Sequence, residues 1–132
     1  MNLAKRMSDT TLDHNKVLSE SKHPIIRVCL TGGPCAGKTT ALATVNQVLT
    51  QMGFRVLQVP EAATMLMKGG AMIETHKMAL QDAVRFQINV MKTQMVLEDI
   101  FIDIALNSEN KCVIVCDRGV MDGSAYTDEN VW

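Results

Sequence analysis

Short apolar runs alternate with amphipathic segments along most of the chain. Ile25–Leu30 is apolar and rich in β-branched residues, which is typical of a buried parallel strand. Residues 38–52 then repeat apolar side chains at helical spacing, and Gly53 is a common residue just after a helix ends. Residues 54–59 predict a second strand, closed by Pro60.

The same alternation continues in the second half of the chain. Residues 61–68 predict a short helix that ends at Gly69-Gly70, and residues 112–116 predict a third strand that is apolar on both faces. Residues 78–107 between them predict a long helix. Its second half should be well buried because it is apolar on most sides, with Met95, Val96, Leu97, Ile100, Phe101, Ile102 and Ile104.

Strands that alternate with helices predict βαβ crossovers, and therefore an α/β three-layer sandwich around a parallel sheet. The predicted strand order is 2-3-1 or 2-1-3. Only residues 117–132 follow the third strand, so we expect a sheet of about three strands, against the ~5–6 of a typical sheet. The pattern thus predicts that residues 24–132 are the N-terminal part of a larger domain that is incomplete at its C-terminus. The polar, aperiodic residues 1–23 predict a flexible tail.

The amino-acid composition indicates which side chains form the core. The chain is 47% hydrophobic but only 4% aromatic and has 10 methionines, so the predicted core is aliphatic and rich in methionine. The formal net charge is -1, from 13 basic and 14 acidic residues, which excludes the basic stripe of a nucleic-acid-binding protein and a polybasic membrane patch. No apolar run approaches the ~20 residues that span a bilayer.

The cysteines form no CxxC pair, and no signal peptide precedes them. They therefore predict reduced thiols in a cytoplasmic protein, not a disulfide framework or a zinc site. They are Cys29, Cys35, Cys112 and Cys116.

The segment between the first strand and the first helix matches the phosphate-binding pattern G-x-x-x-x-G-K-[ST]. Its residues are Gly32, Gly33, Pro34, Cys35, Ala36, Gly37, Lys38 and Thr39. The glycines let the backbone N–H groups approach a phosphate, and the helix that follows adds its N-terminal dipole. Lys38 supplies a charge for the β- and γ-phosphates, Thr39 a hydroxyl ligand for Mg²⁺, and Thr40 a contact to the α-phosphate. A chance match within a turn is the alternative, but the strand before it and the helix after it favour a phosphate site.

Charged residues follow the second and third predicted strands, where ligands gather in parallel sheets. Asp117 is predicted to hold Mg²⁺ directly or through water, although an acid at a strand end is common in any protein. Arg118 is predicted to reach phosphates bidentately, with a salt bridge to a nearby acid as the alternative. Glu61 is predicted either to accept a proton from an acceptor hydroxyl or to stabilise the first turn of a helix.

Four further positions complete the candidate chemistry. Phe86 and Gln87 on the long helix could present an aromatic ring and an amide to a flat ligand, with Gln94 two turns later on the same face. Polar residues on one side of a half-buried helix are more often solvated, so solvent exposure is the favoured prediction for this set. Asp122 is predicted to cap a helical turn.

With these motifs in place, the chain resembles the NadR/TRPL translocation defect protein group of AAA-like P-loop domains, and its animal members in particular. Besides the phosphate cradle, the resemblance rests on four segments: Val59-Pro60-Glu61-Ala62-Ala63, Phe86-Gln87, Lys92-Thr93-Gln94-Met95 and Cys116-Asp117-Arg118-Gly119. More distantly the chain is similar to deoxynucleoside and thymidylate kinases. Those have an acid after the second strand, matching Glu61, an aromatic-Gln pair, matching Phe86-Gln87, and an acid-Arg pair, matching Asp117-Arg118.

The resemblance implies a purine nucleoside triphosphate, GTP or ATP, bound with Mg²⁺. The animal members imply a regulatory, GTP-binding domain that associates with phosphoinositides in membrane-protein trafficking, at the periphery of membranes, and this is the leading expectation. The NadR members imply, as the alternative, a small-molecule kinase of the ribosylnicotinamide or deoxynucleoside kinase type. An inactive truncated fragment is the third alternative, because no lid with arginines and no later strands follow in this sequence.

Overall fold

The computed structural model describes residues 21–33, 36–71 and 79–126. In this part of the chain, three parallel strands form one sheet in the order β1-β3-β2; they are β1 (Ile25–Leu30), β2 (Arg55–Val59) and β3 (Cys112–Asp117). The predicted α/β fold with a parallel sheet is confirmed, and the strand order is the first of the two that were expected. Residues 1–20 of the predicted tail lie outside the described residues.

Helices connect the strands close to the predicted positions. They are α1 (Lys38–Gln51), α2 (Ala62–Lys68) and α3 (Leu80–Leu106), and a 3-10 helix, Val120–Tyr126, follows β3. Gly37 precedes α1 with φ 78, a left-handed conformation that glycine adopts at no steric cost. Asp122 lies inside the first turn of the 3-10 helix and not at its cap, so the predicted capping role is wrong.

The strand register brings the functional ends of the sheet together. Leu30 of β1 pairs with Asp117 of β3, and Val59 of β2 pairs with Cys116 of β3. All three strands therefore end at the same edge, and the segments that follow them emerge side by side. In open parallel sheets this edge is where ligands bind.

The core lies around the central strand. Every residue from Cys112 to Cys116 is buried, because β3 has a strand on each side and a helix over each face. Side chains alternate between the faces of a strand. One face packs against α3 through Ile114, Val59 and Ile102, while Val113 and Val115 point to the opposite face, the side on which α1 packs.

Three expectations about burial are wrong. β1 is only half-buried, with Ile26 45% exposed, because it lies at the edge of the sheet among the described strands. The second half of α3 has an exposed apolar side, because the sheet covers only its other side; this exposed side comprises Met95, Val96, Ile100 and Ile104. The core is aliphatic, but no methionine of the described residues is buried in it.

No helix within residues 21–33, 36–71 and 79–126 is long and apolar enough to cross a membrane.

Candidate phosphate-binding site

The phosphate cradle lies where β1 passes into α1. The N–H of Ala36 donates to the Gly33 carbonyl at 3.3 Å, and the N–H of Ala41 donates to the Gly37 carbonyl at 2.9 Å, which closes the first turn of α1. Between these bonds, the first N–H groups of α1 have no partner within the helix, as in any helix N-terminus. A helix start of this kind attracts an anion. Pro34 and Cys35, which the sequence places at the tip of the loop, lie outside the described residues.

Lys38 bends back over the cradle. Its Nζ donates to the carbonyl oxygens of Gly32 at 2.8 Å and of Gly33 at 2.9 Å. These two bonds place the ammonium group beside the loop. A phosphate that entered the loop would meet this positive charge and the start of α1 together.

A polar cavity of about 380 Å³ opens in front of the cradle. The sequence-predicted residues meet there: the lining consists of Ala36, Gly37, Lys38, Thr39, Thr40, Glu61, Asp117 and Arg118. These residues come from the loop after β1, the start of α1, and the segments at the ends of β2 and β3. The strand register explains the convergence, because it aligns the ends of β1, β3 and β2.

The environment of the Asp117 carboxylate indicates whether a metal ion could bind in this cavity. Its Oδ1 is buried and has no hydrogen-bond partner among the described residues. A buried carboxylate oxygen without a partner is costly, so it fits a cation or a metal-bound water. The Thr39 hydroxyl lines the same cavity and is a second hard oxygen ligand. The residues present therefore fit Mg²⁺, which is usually held by one or two protein oxygens together with water and phosphate oxygens. No group of three or more His, Cys, Asp or Glu side chains with metal-site spacing occurs in the described part of the chain.

Glu61 and Arg118 form an ion pair at the back of the cavity. Arg118 Nε lies 2.5 Å from Glu61 Oε1, and the Thr64 hydroxyl donates to Glu61 Oε2 at 2.6 Å. Both carboxylate oxygens are thus oriented. The predicted salt bridge of Arg118 and the predicted position of Glu61 beside α2 both occur, since Glu61 directly precedes Ala62, the first residue of α2.

A second cavity of about 250 Å³ adjoins the first. Glu61 and Arg118 line both cavities, and the rest of the second wall is mainly apolar, with Ala62, Met67 and Met91 among its residues. Gln87 is half-buried and lines this cavity, which is the alternative to the solvent exposure that the sequence favoured. Phe86, one residue earlier on α3, is half-buried and is not among the described residues that line it.

The predicted solvent exposure of Gln94 is wrong. The residue is 3% exposed and not solvated, and it lines the second cavity. Its Nε2 donates to Glu98 Oε1 at 3.0 Å and to the main-chain oxygen of Arg118 at 3.3 Å. The available signal was a glutamine four residues before a glutamate within an apolar helix, because this spacing places the two side chains next to each other.

Arg118 has unusual backbone geometry. Its φ is 82, and it is the one non-glycine residue with a positive φ in the described part of the chain. This conformation costs about 1–2 kcal/mol for an L-residue with a side chain. Gly119, which follows, accommodates the close approach of β1, since a Cβ there would lie 3.1 Å from Cys29 Sγ.

The environment of two thiols near the same edge of the sheet raises their pKa. Burial, and to a smaller extent the negative charge of Glu98, raises the pKa of Cys116 to about 11. Burial and the nearby Asp122 carboxylate also raise the pKa of Cys29. Both thiols therefore stay protonated at neutral pH.

A family model described as AAA domain matches residues 27–132, which is most of the chain. The chain belongs to the AAA domain family. No significant similarity to a curated protein or to a solved structure is found. Membership of the AAA domain family supports a P-loop nucleotide-binding function.

Proposed function

We propose that the chain binds a nucleoside triphosphate with Mg²⁺ in its cradle and transfers the terminal phosphoryl group to a hydroxyl of a small acceptor in the second cavity. The observation that carries this proposal is the pair of adjoining cavities that share Glu61 and Arg118. A phosphoryl transfer needs a donor site and an acceptor site that meet at the reacting phosphorus, with a polar group at the junction.

The residues at the junction suit this reaction. Arg118 supplies a planar cation next to the cradle, where it can bind oxygens of the transferred group. Glu61 supplies a carboxylate that orients the acceptor hydroxyl and takes its proton as the oxygen attacks the γ-phosphorus and the bond to the β-phosphate oxygen breaks. Mg²⁺, held by Asp117 and Thr39, would neutralise charge on the phosphate oxygens.

The mainly apolar wall of the second cavity favours an acceptor with an apolar or planar body. Gln87 offers an amide to such a molecule. A sugar hydroxyl directed towards Glu61 and a ring directed towards Met67 and Met91 would satisfy both parts of the wall. A nucleoside has both features, in agreement with the resemblance to nucleoside kinases.

The regulatory alternative remains a prediction from the resemblance to the animal proteins. It requires the cradle and a preference for GTP, with phosphoinositide association through a membrane surface, but it gives the second cavity and Gln87 no role. We therefore place phosphoryl transfer first, and the same assay separates it from GTP binding and from an inactive chain.

The test is transfer of labelled phosphate from ATP or GTP to a panel of ribonucleosides, deoxynucleosides and nicotinamide riboside, with Mg²⁺. We expect a labelled monophosphate from at least one nucleoside, and we expect Glu61→Gln to reduce its rate by about 10²–10⁴-fold with little change in nucleotide affinity. Tight GTP binding with slow hydrolysis and no labelled acceptor would favour the regulatory domain. Failure to bind either nucleotide would favour the inactive chain.

A further inference from the structure

Arg118 holds its position at the junction of the two cavities although its backbone is in the left-handed region. Without restraining contacts, Arg118 would relax to a negative φ, and its guanidinium would turn away from its present place. Something must therefore fix the peptide groups on either side of the Arg118 α-carbon. Two hydrogen bonds to the Arg118 main chain fix these peptide groups.

Two hydrogen bonds hold the Arg118 main chain from opposite elements. Its N–H donates to the Leu30 carbonyl of β1 at 3.0 Å, which extends the β1–β3 pairing by one residue. Its carbonyl accepts a bond of 3.3 Å from the side chain of Gln94 on α3. The first bond follows from the sheet, whereas the second depends on one side chain.

Gln94 is itself held in place. The second proton of its amide goes to Glu98 Oε1 at 3.0 Å, and the other oxygen of Glu98 accepts a bond of 3.0 Å from Arg27 Nη2 of β1. Both amide protons of Gln94 are thus used, and the side chain is 3% exposed. A buried amide with both donors engaged has one orientation, so its bond to Arg118 is fixed as well.

We propose that Gln94 is a positioning residue for phosphoryl transfer: its bond to the Arg118 carbonyl keeps Arg118 left-handed and so directs the guanidinium to Glu61 and the phosphate cavity. This inference rests on the proposed function for its consequence in catalysis. The contact itself is independent of that function and is tested separately below.

The structural test uses the full chain labelled with ¹⁵N-arginine. The sequence has five arginines, so few side-chain Nε–H resonances occur, and the one from Arg118 is assigned by its loss in Arg118→Lys. In the parent chain we expect this resonance to be resolved and slow to exchange, because Nε is paired with Glu61. In Gln94→Met, which keeps the size of the side chain but removes its donors, we expect the resonance to move to the averaged position of exposed arginines.

The functional test is the rate of phosphoryl transfer from Mg²⁺–ATP to the nucleoside that the panel above identifies as an acceptor. Gln94→Met should lower kcat by about tenfold and leave KM for ATP within about twofold, because the loss falls on the transition state and not on ground-state binding. In an Arg118→Lys background, Gln94→Met should cause no further loss, since the two residues act as a unit. Gln81→Met is the matched control, because Gln81 is an exposed glutamine on the first turn of α3.

Each outcome decides the proposal. An unchanged Arg118 resonance in Gln94→Met, or a loss that adds fully to that of Arg118→Lys, would overturn it. If the parent chain transfers phosphate to no acceptor of the panel but the resonance still depends on Gln94, the proposed function fails and the positioning contact stands. If Gln94→Met does not fold, Gln94→Asn takes its place: it keeps a buried amide with a shorter reach, and a parent-like resonance in that variant would overturn the proposal.

Discussion

Asp117 offers a prediction in which stability and function change in opposite directions. Its buried Oδ1 has no hydrogen-bond partner among the described residues. A buried polar atom without a partner costs about 1–3 kcal/mol, and more when it is charged. Asp117→Asn keeps the shape of the side chain and removes its charge. Without metal or nucleotide, we therefore expect the free energy of unfolding to rise by up to about 1 kcal/mol, or about 3–5 °C in Tm for a chain of this length.

The same substitution should remove the response to Mg²⁺. In the parent chain we expect Mg²⁺ to raise the affinity for ATPγS by at least about tenfold, which is 1.4 kcal/mol. In Asp117→Asn the increase should be less than about twofold, because the carboxylate is no longer present to bind the hydrated ion. The assay is thermal unfolding and isothermal titration with ATPγS, each with Mg²⁺ and with EDTA.

Asp103→Asn is the matched control. Asp103 is an exposed aspartate near the C-terminal end of α3, and it does not line the phosphate cavity. It should change neither the Mg²⁺ response nor the stability by more than about 0.5 kcal/mol. A parent-like Mg²⁺ response in Asp117→Asn would refute the assignment of Asp117 to the metal, and a marked loss of stability would refute the argument from its unpartnered oxygen.

Two further predictions concern backbone strain and pH. Gly37→Ala should lose about 1–2 kcal/mol of stability, because Gly37 has a φ of 78, and it should also weaken ATPγS binding. Gly53→Ala is the matched control, because Gly53 has a φ of 83 at the far end of α1. It should lose similar stability and bind ATPγS normally in the same titration. Equal affinities for the two variants would contradict a role of the Gly37 conformation in the cradle. The free energy of unfolding should fall as pH rises from 9.0 towards about 11, because the buried Cys116 thiol stays protonated in the folded state while it ionises in the unfolded chain. Urea denaturation at pH 8, 9 and 10 should show a shallower decline for Cys116→Val, and parallel declines would show that this thiol contributes nothing.

The sequence predicted the fold because its periodicities are strong and local. The alternating strands and helices, the cradle and the acid at the end of β3 all follow from short patterns, and the parallel sheet then requires Asp117 and the cradle to lie at one edge. Glu61 could be placed beside them for the same reason. These are properties of neighbouring residues and of topology.

The predictions that were wrong concern the burial of individual side chains, which depends on how the helices pack on the sheet. Apolar residues of α3 such as Met95 and Ile100 do not reveal which side faces the sheet, because the helix is apolar on both sides. Gln94 is polar and yet buried, because its partners, Glu98 and the Arg118 carbonyl, come together only after α3 packs on the sheet. The left-handed Arg118 carries no mark in the sequence either, since glycine is the residue expected there.

Direct titration of Mg²⁺–ATPγS and Mg²⁺–GTPγS into the parent chain, Lys38→Ala and Lys111→Ala tests the central claim. Lys38 lies over the cradle with its Nζ bonded to Gly32 and Gly33, whereas Lys111 is an exposed lysine before β3. A charged hydrogen bond from the Lys38 ammonium to a phosphate oxygen is worth about 1.5–3 kcal/mol, so Lys38→Ala should weaken the affinity for the preferred nucleotide by about 10- to 150-fold. Lys111→Ala should leave this affinity unchanged. Equal affinities for the parent chain and Lys38→Ala would contradict the assignment of this loop as a phosphate site.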